Sequence, residues 1–249
     1  MINLKTSEEI SIMAAGGKIL KTVADIVETH IKPGVTTREI DQIAEKLLLK
    51  YGAEASFKKV KGYKFATCLP VNEQAVHTPP SERVLKVGDS VTLDIGAFYK
   101  GFHTDYAVTV PVGKVDDKVL RFLEVGKTTL ETAIKMVKSG EYLGTIAKFI
   151  QTEIEANGYF ILKELTGHGI GRELHEDPYV LNYLDRPVHE TYKIKPGFVM
   201  ALEIIYSMGT EKIAYEPGHD WSIISADRSL AACFERTIAV FDKKTFILT

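Results

Sequence analysis

Four acids and three histidines carry the chemistry this chain could perform. Asp94 interrupts the apolar run of LKVGDSVTLDI, residues 85–95, and Glu203 does the same in IKPGFVMALEI, residues 194–204, 109 positions later. After each comes a second apolar run with another acid at or near its start: TDYAVTV at 104–110 holds Asp105, and ERTIAV at 235–240 holds Glu235. A carboxylate left unpaired inside a core is so costly that something of opposite sign must hold it. A buried Arg or Lys beside each acid is one solution and a shared cation is the other, and the repetition favours the shared one. A two-residue loop at 99 and 100 would make Asp94 and Asp105 cross-strand partners, with Cβ atoms about 4.5–5.5 Å apart. Carboxylates that close repel unless cations sit between them. Four of them near one axis carry more charge than a single divalent ion needs, and two ions about 3.5–4 Å apart would balance it.

The histidines fit that chemistry. TGHGIGRELHEDP, residues 166–178, places His168 and His175 in a glycine-rich loop, where a ring nitrogen can reach a metal free of steric competition. His77, in NEQAVHTPP beside a proline-rigid turn, is a third candidate. Other motifs fail their own tests. VGKTTL at 125–130 lacks the glycine that a phosphate loop needs five residues before Gly126, where Arg121 stands, and it is expected to start a helix. GHGIG lacks dinucleotide spacing, and no H-E-x-x-H is present.

The elements that must position these residues repeat as well. Thr6 and Glu9 fit a capping box, followed by Ile10, Met13, Ile19, Val23 and Val27 on one helical face, with KPG at 32–34 as the stop. A second helix is expected over TTREIDQIAEKLLLKYG, with Ile40, Ile43, Leu47 and Leu48 inward and Gly52 at its end. Lys138, Gly140, Ile146 and Gly158 lie 106 positions beyond Lys32, Gly34, Ile40 and Gly52. Helix and strand thus recur in order, which predicts two similar halves of an α+β protein rather than a solenoid.

Composition sets the frame. The chain has 249 residues, 45% hydrophobic and 26% charged, ordinary for a globular protein with a substantial core. Net charge −2 and pI ≈ 6.4 leave no basic footprint, so nucleic acid is not expected as the main partner. No stretch approaches the ~18 apolar residues of a membrane span and MINLKTSEEISIMAAGGKIL has no uninterrupted apolar core, so no membrane association and a cytoplasmic location are expected. Cys68 and Cys233 form neither a metal pair by spacing nor a disulfide framework, in keeping with a reducing compartment.

Taken in order, Asp94, Asp105, His168, Glu203 and Glu235, with GHGIGRELHEDP, DRSLAACFERTIAV, KTSEEISIMAAGGKIL and HIKPGVTTREID, resemble the type I methionine aminopeptidases nearly end to end. The resemblance implies a pita-bread fold, a curved antiparallel sheet with outer helices and two pseudo-symmetric halves, roughly 1–112 and 113–249, in a single catalytic domain over 1–249. It implies two divalent metal ions, Co, Mn, Fe or Zn. Asp94 would chelate one, His168 and Glu203 would hold the other, and Asp105 and Glu235 would bridge them. A water activated between the ions would attack the first peptide bond, with Glu203 shuttling a proton and His77 and His175 bonding the scissile amide. Tyr63, Cys68 and Trp221 match the family's side-chain pocket. Phe57, Val60 and Leu174 stand where it usually has Cys, Tyr and Phe; Thr78-Pro79-Pro80 replaces Gly-Ile-Pro after His77, and Arg236 replaces a histidine.

The implied substrates are the N-termini of nascent polypeptides near the ribosome, and the implied state is a monomer. Two alternatives stand beside this one. An X-Pro aminopeptidase or dipeptidase could use the same fold, and a metal-free pita-bread domain could serve as a protein-binding module.

Overall fold

Two threonine–glutamate capping boxes begin the first half of the molecule. In the protein's structure, a computed structural model that describes residues 2–242 and 244–249, α1 runs Ser7–Glu28 and α2 runs Thr37–Lys50. Thr6 accepts from the Glu9 amide while Glu9 reaches back to Thr6, and Thr36 and Glu39 repeat the exchange. The first helix closes at Glu28, ahead of the KPG turn. Short strands β1 (Glu54–Ala55), β2 (Thr67–Cys68) and β3 (Gln74–Val76) lead to the long hairpin β4 (Ser90–Tyr99) and β5 (Phe102–Pro111).

The second half follows the same plan. Helices α3 (Asp117–Met136) and α4 (Leu143–Ala156) precede β6 (Phe160–Ile161), β7 (Gly167–Gly169), β8 (Glu176–Val180) and β9 (Val199–Ser207). The chain then runs through β10 (Ile213–Tyr215), β11 (Ile223–Ser225), β12 (Ala231–Val240) and β13 (Thr245–Ile247). The repeat extends to single bonds. Gly34 donates to the Leu85 carbonyl as Gly140 does to Ile194, and Leu85 donates to Val35 as Ile194 does to Glu141. Gly34 and Gly140 share left-handed φ values of 90° and 88°.

Most of the strands form one antiparallel sheet, ordered β1-β4-β5-β12-β9-β7-β8, while β10, β11 and β3 form a smaller one. Strand alternation sorts each side chain onto one face. Val91, Leu93, Ile95 and Ala97 of β4 pack with Leu20, Val23, Ile40 and Leu48 of α1 and α2. Met200, Leu202, Ile204 and Tyr206 of β9 pack with Phe122, Leu130, Ile146 and Ile150 of α3 and α4. The helices therefore cover one face, and Asp94 and Glu203, each one step out of phase with these residues, point to the other.

Two expectations from the sequence need correction. The hairpin turns at Lys100-Gly101, not at 99 and 100, so Asp94 lies opposite Ala107 and Asp105 opposite Gly96. Both turn residues have positive φ, 48° and 89°, as a two-residue type I′ hairpin requires, and glycine meets that demand at the second position. The shift is two residues, so the aspartates keep a common face but become diagonal neighbours. VGKTTL also does not start a helix: α3 begins at Asp117, and Gly126 lies in its middle. The Tyr206 hydroxyl enters the helix there, donating to the Phe122 carbonyl (2.5 Å) and accepting from the Gly126 amide (3.1 Å).

The seam between the halves is β5 against β12, paired at Ala107–Glu235 and Tyr106–Arg236. On either side a threonine hydroxyl takes over from the ladder. Thr109 Oγ1 accepts from the Cys233 amide (2.9 Å) and donates to its carbonyl (3.0 Å); Thr237 Oγ1 does the same for Asp105 (2.8 and 2.9 Å).

Candidate metal centre

Register alone gathers the acids. Asp94 pairs with Ala107, Ala107 with Glu235, and Glu235 with Glu203, so one row crosses β4, β5, β12 and β9. Two residues along, and therefore on the same face, Asp105 faces Gly96, and Ala201 faces both Thr237 and His168. Three acids thus share one row, and Asp105 and His168 occupy the next. Ligand atoms of Asp105, His168 and Glu235 lie within 4.8 Å of one another, and His168 Nε2 is 3.8 Å from Glu203 Oε1.

The electrostatics ask for a cation. Burial is the first cause that raises the pKa of Asp94, Asp105, Glu203 and Glu235 above the carboxylate range, and mutual repulsion adds to it for Asp94, Glu203 and Glu235. Among the described residues no Lys or Arg makes an ion pair with any of the four. Arg236 instead bonds the carbonyls of Ala107 (3.3 Å) and Glu235 (2.6 Å), with its guanidinium 4.3 Å from the Tyr106 ring centre. Glu235 Oε1 is buried with no hydrogen-bond partner. An orphaned carboxylate oxygen among acids that the protein itself does not neutralise fits divalent metal.

His168 is prepared as a donor. Burial, with His175 nearby, holds its pKa down to about 3, so the ring is neutral. Its Nδ1 lies 2.8 Å from the Gly169 carbonyl. With the proton on that nitrogen, the Nε2 lone pair faces the carboxylates.

Above the acids is a cavity of about 120 Å³. It brings together all the candidate residues: the five proposed ligands, His77 and His175, and the side-chain pocket of Phe57, Val60, Tyr63, Cys68, Leu174 and Trp221. Tyr63 meets Trp221 edge-on at 5.2 Å and Phe57 at 6.5 Å, and its hydroxyl donates to the Thr67 carbonyl (2.8 Å) beside Cys68 Sγ (3.1 Å). His175 lies edge-on to His168, 4.4 Å between ring centres. His77, with φ 57° just after β3, stands exposed at the mouth of the cavity, where neighbouring groups and His175 lower its pKa. The departure at Thr78 has a partner: its hydroxyl lies 2.8 Å from that of Ser222, tying the His77 turn to the Trp221 segment.

Two lining residues escaped the sequence reading, Val76 and Cys233. Cys233 sits two positions before Glu235 and so shares its face, which strand alternation could have revealed; its Sγ is 3.8 Å from Glu203 Oε2. Val76 immediately precedes His77 and carries no comparable signal.

The chain is similar to known proteins along nearly its whole length. The model of metallopeptidase family M24 matches residues 11–241. Methionine aminopeptidase 1 of Bacillus subtilis is 39% identical over 249 residues, covering 100% of this chain and 99% of that protein. The crystal structure of methionine aminopeptidase from Thermotoga maritima superposes with a TM-score of 0.96 at 36% identity, covering 100% of this chain and 99% of that one. Prolidase from Pyrococcus furiosus shares the fold, with a TM-score of 0.80 at 23% identity over 99% of this chain and 65% of its own.

Proposed function

The chain belongs to metallopeptidase family M24, and from that membership we propose that it is a metal-dependent aminopeptidase that hydrolyses the first peptide bond of polypeptides and removes N-terminal methionine. One observation carries the reading: four carboxylates and a neutral imidazole, unneutralised by the protein, floor a cavity walled by aromatic and sulfur-bearing side chains. We assign Asp94, Asp105, His168, Glu203 and Glu235 as ligands for two divalent ions, Mn, Fe, Co or Zn, within a single catalytic domain over 1–249. Divalent ions held there would supply Lewis acidity and an activated water.

The remaining steps belong to the protein. Tyr63, Cys68 and Trp221, with Phe57, Val60 and Leu174, receive the flexible thioether side chain through aromatic and apolar contact. Glu203 stands at the edge of the ligand row, positioned to take up and pass on a proton. His77 and His175, whose pKa values are drawn down, each present an N–H to the scissile amide, where a donor aimed at developing negative charge contributes about 3–4 kcal/mol. Nascent polypeptides are the proposed substrates and a cytoplasmic monomer the proposed state; no described helix is long and apolar enough to cross a membrane.

The test is residue release from peptides beginning Met-Gly, Met-Ala, Leu-Gly and Ala-Pro, using metal-stripped protein resupplied with Mn, Fe, Co or Zn. Metal-dependent release of Met alone is expected. Cleavage before proline would move the chain to the X-Pro reading, and silence with every metal would leave a binding module.

A further inference from the structure

Lys5 lies outside the cavity, yet among the described residues it is the only buried lysine, and its partner, Glu176 at the start of β8, directly follows His175. Its Nζ is 2.5 Å from Glu176 Oε2, and both side chains are only 5% exposed. The same ammonium donates to the Asn3 carbonyl at 2.9 Å. The other oxygen of Glu176 turns inward, accepting from the Arg172 amide at 2.8 Å and from the Glu173 amide at 3.3 Å. One carboxylate thereby closes the arc 172–176, and between the Glu173 amide and Glu176 lie Leu174 and His175, a wall of the side-chain pocket and a donor to the scissile bond.

Further contacts make the arc rigid. The Gly171 carbonyl accepts from the His103 amide at 2.7 Å. A Cβ at Gly171 would run into Lys5 Cε and lie 2.7 Å from Glu176 Oε1, so glycine there leaves the space that Lys5 fills. Lys5 is itself fixed to the frame of the metal centre: its amide donates to the Gly197 carbonyl (2.7 Å), and the Gly197 amide donates to Val240 (2.8 Å) at the end of β12. The lysine therefore bridges the strands bearing Glu203 and Glu235 and the loop bearing His175.

We propose that Lys5 is a positioning residue for the hydrolysis, holding His175 at the scissile bond through Glu176. The inference rests on the aminopeptidase reading given above. Removing one partner of a buried ion pair leaves the other charge uncompensated, so without Lys5 the Glu176 carboxylate turns toward water and releases the two amides. The arc then loosens. A reacting group displaced by about 1 Å can cost on the order of 100-fold in rate.

The experiment is a double-mutant cycle on Met-Ala-Ser hydrolysis by the metal-loaded enzyme. K5M is expected to lower kcat by roughly tenfold or more with little change in KM and with metal stoichiometry unchanged. In the H175A background, already slowed with its metal retained, K5M is expected to cost almost nothing further, because the group it positions is gone. E176Q, which keeps the shape of the side chain, is expected to give the same collapse and covers the case that K5M does not fold. Ethylammonium is expected to restore part of the kcat of K5A. An equal loss in both backgrounds, or full activity of K5M, overturns the proposal. A wild-type protein that releases no methionine with any metal would instead overturn the aminopeptidase reading, before any variant is made.

Discussion

At the scale of single residues, the centre is a cluster of charges waiting for a counter-charge. Asp105 and Glu235 sit within ligand reach of His168, and as bridges each would serve both ions. D105A and E235A are each expected to lose metal and activity together, read by metal analysis after dialysis and by methionine release. Activity lost with full metal content would reject the ligand role. The same crowding makes a pH prediction. An acid whose folded pKa is raised gives the folded state extra protons, and stability falls as pH rises from about 4 toward the raised value. Histidines held low act in the opposite sense, but only below their ordinary 6.5. Between about pH 6.5 and 8 the acids alone set the slope. The metal-free protein is expected to melt at progressively lower temperature as pH rises through that window, and saturating Mn to flatten the trend; a flat profile without metal would mean that the acids are already neutralised.

At the scale of elements, packing decides what propensity does not. Replacing Gly126 by Ala improves helix propensity by about 1 kcal/mol. The new Cβ, however, would run into the Tyr206 hydroxyl oxygen and lie 2.6 Å from Cε1, where that hydroxyl bonds both the Phe122 carbonyl and the Gly126 amide. G126A is expected to lower the urea midpoint, and G126A/Y206F to recover part of the loss, since the second change removes the colliding oxygen. A midpoint raised by G126A alone would show that the tyrosine moves aside freely. This site also marks the limit of what the sequence discloses. The cap at Thr6 was legible because its bonds span three residues, and the faces of β4 and β9 because alternation is local. The partner of Gly126 is 80 residues away, so its glycine reads as a helix boundary. The β4–β5 register failed for a smaller reason: the left-handed pair is Lys100-Gly101, and the expected loop took Tyr99 in place of the glycine. The error was two residues, so the faces survived it, and Asp94 and Asp105 still share one.

For the molecule as a whole, the two halves meet along a seam held partly by side chains. Thr237 Oγ1 holds both backbone groups of Asp105, and Thr249 Oγ1 adds a bond to the same carbonyl at 3.1 Å. T237V keeps the shape and strands the Asp105 amide, at about 1–3 kcal/mol for a buried group left unpaired, while the carbonyl keeps its bond from Thr249. It is expected to lower stability and to weaken metal binding, because the backbone of a ligand shifts. T109V, which strands the corresponding groups of Cys233, is expected to cost similar stability with a smaller effect on metal. Denaturant unfolding and metal titration separate the two, and equal loss of metal affinity would mean that the seam acts only as a whole.

That seam also orders events during synthesis. The strand that completes β5, residues 102–111, is translated more than a hundred residues after it, so the first half emerges with a ten-residue sheet edge unpaired. Such an edge is a template for pairing with other chains. Three of the five proposed donors, His168, Glu203 and Glu235, are not yet made at that stage. A growing chain therefore cannot use metal to hold its first half together, and its protection must come from the two capped helices already lying on the sheet and from whatever the cell places over the edge.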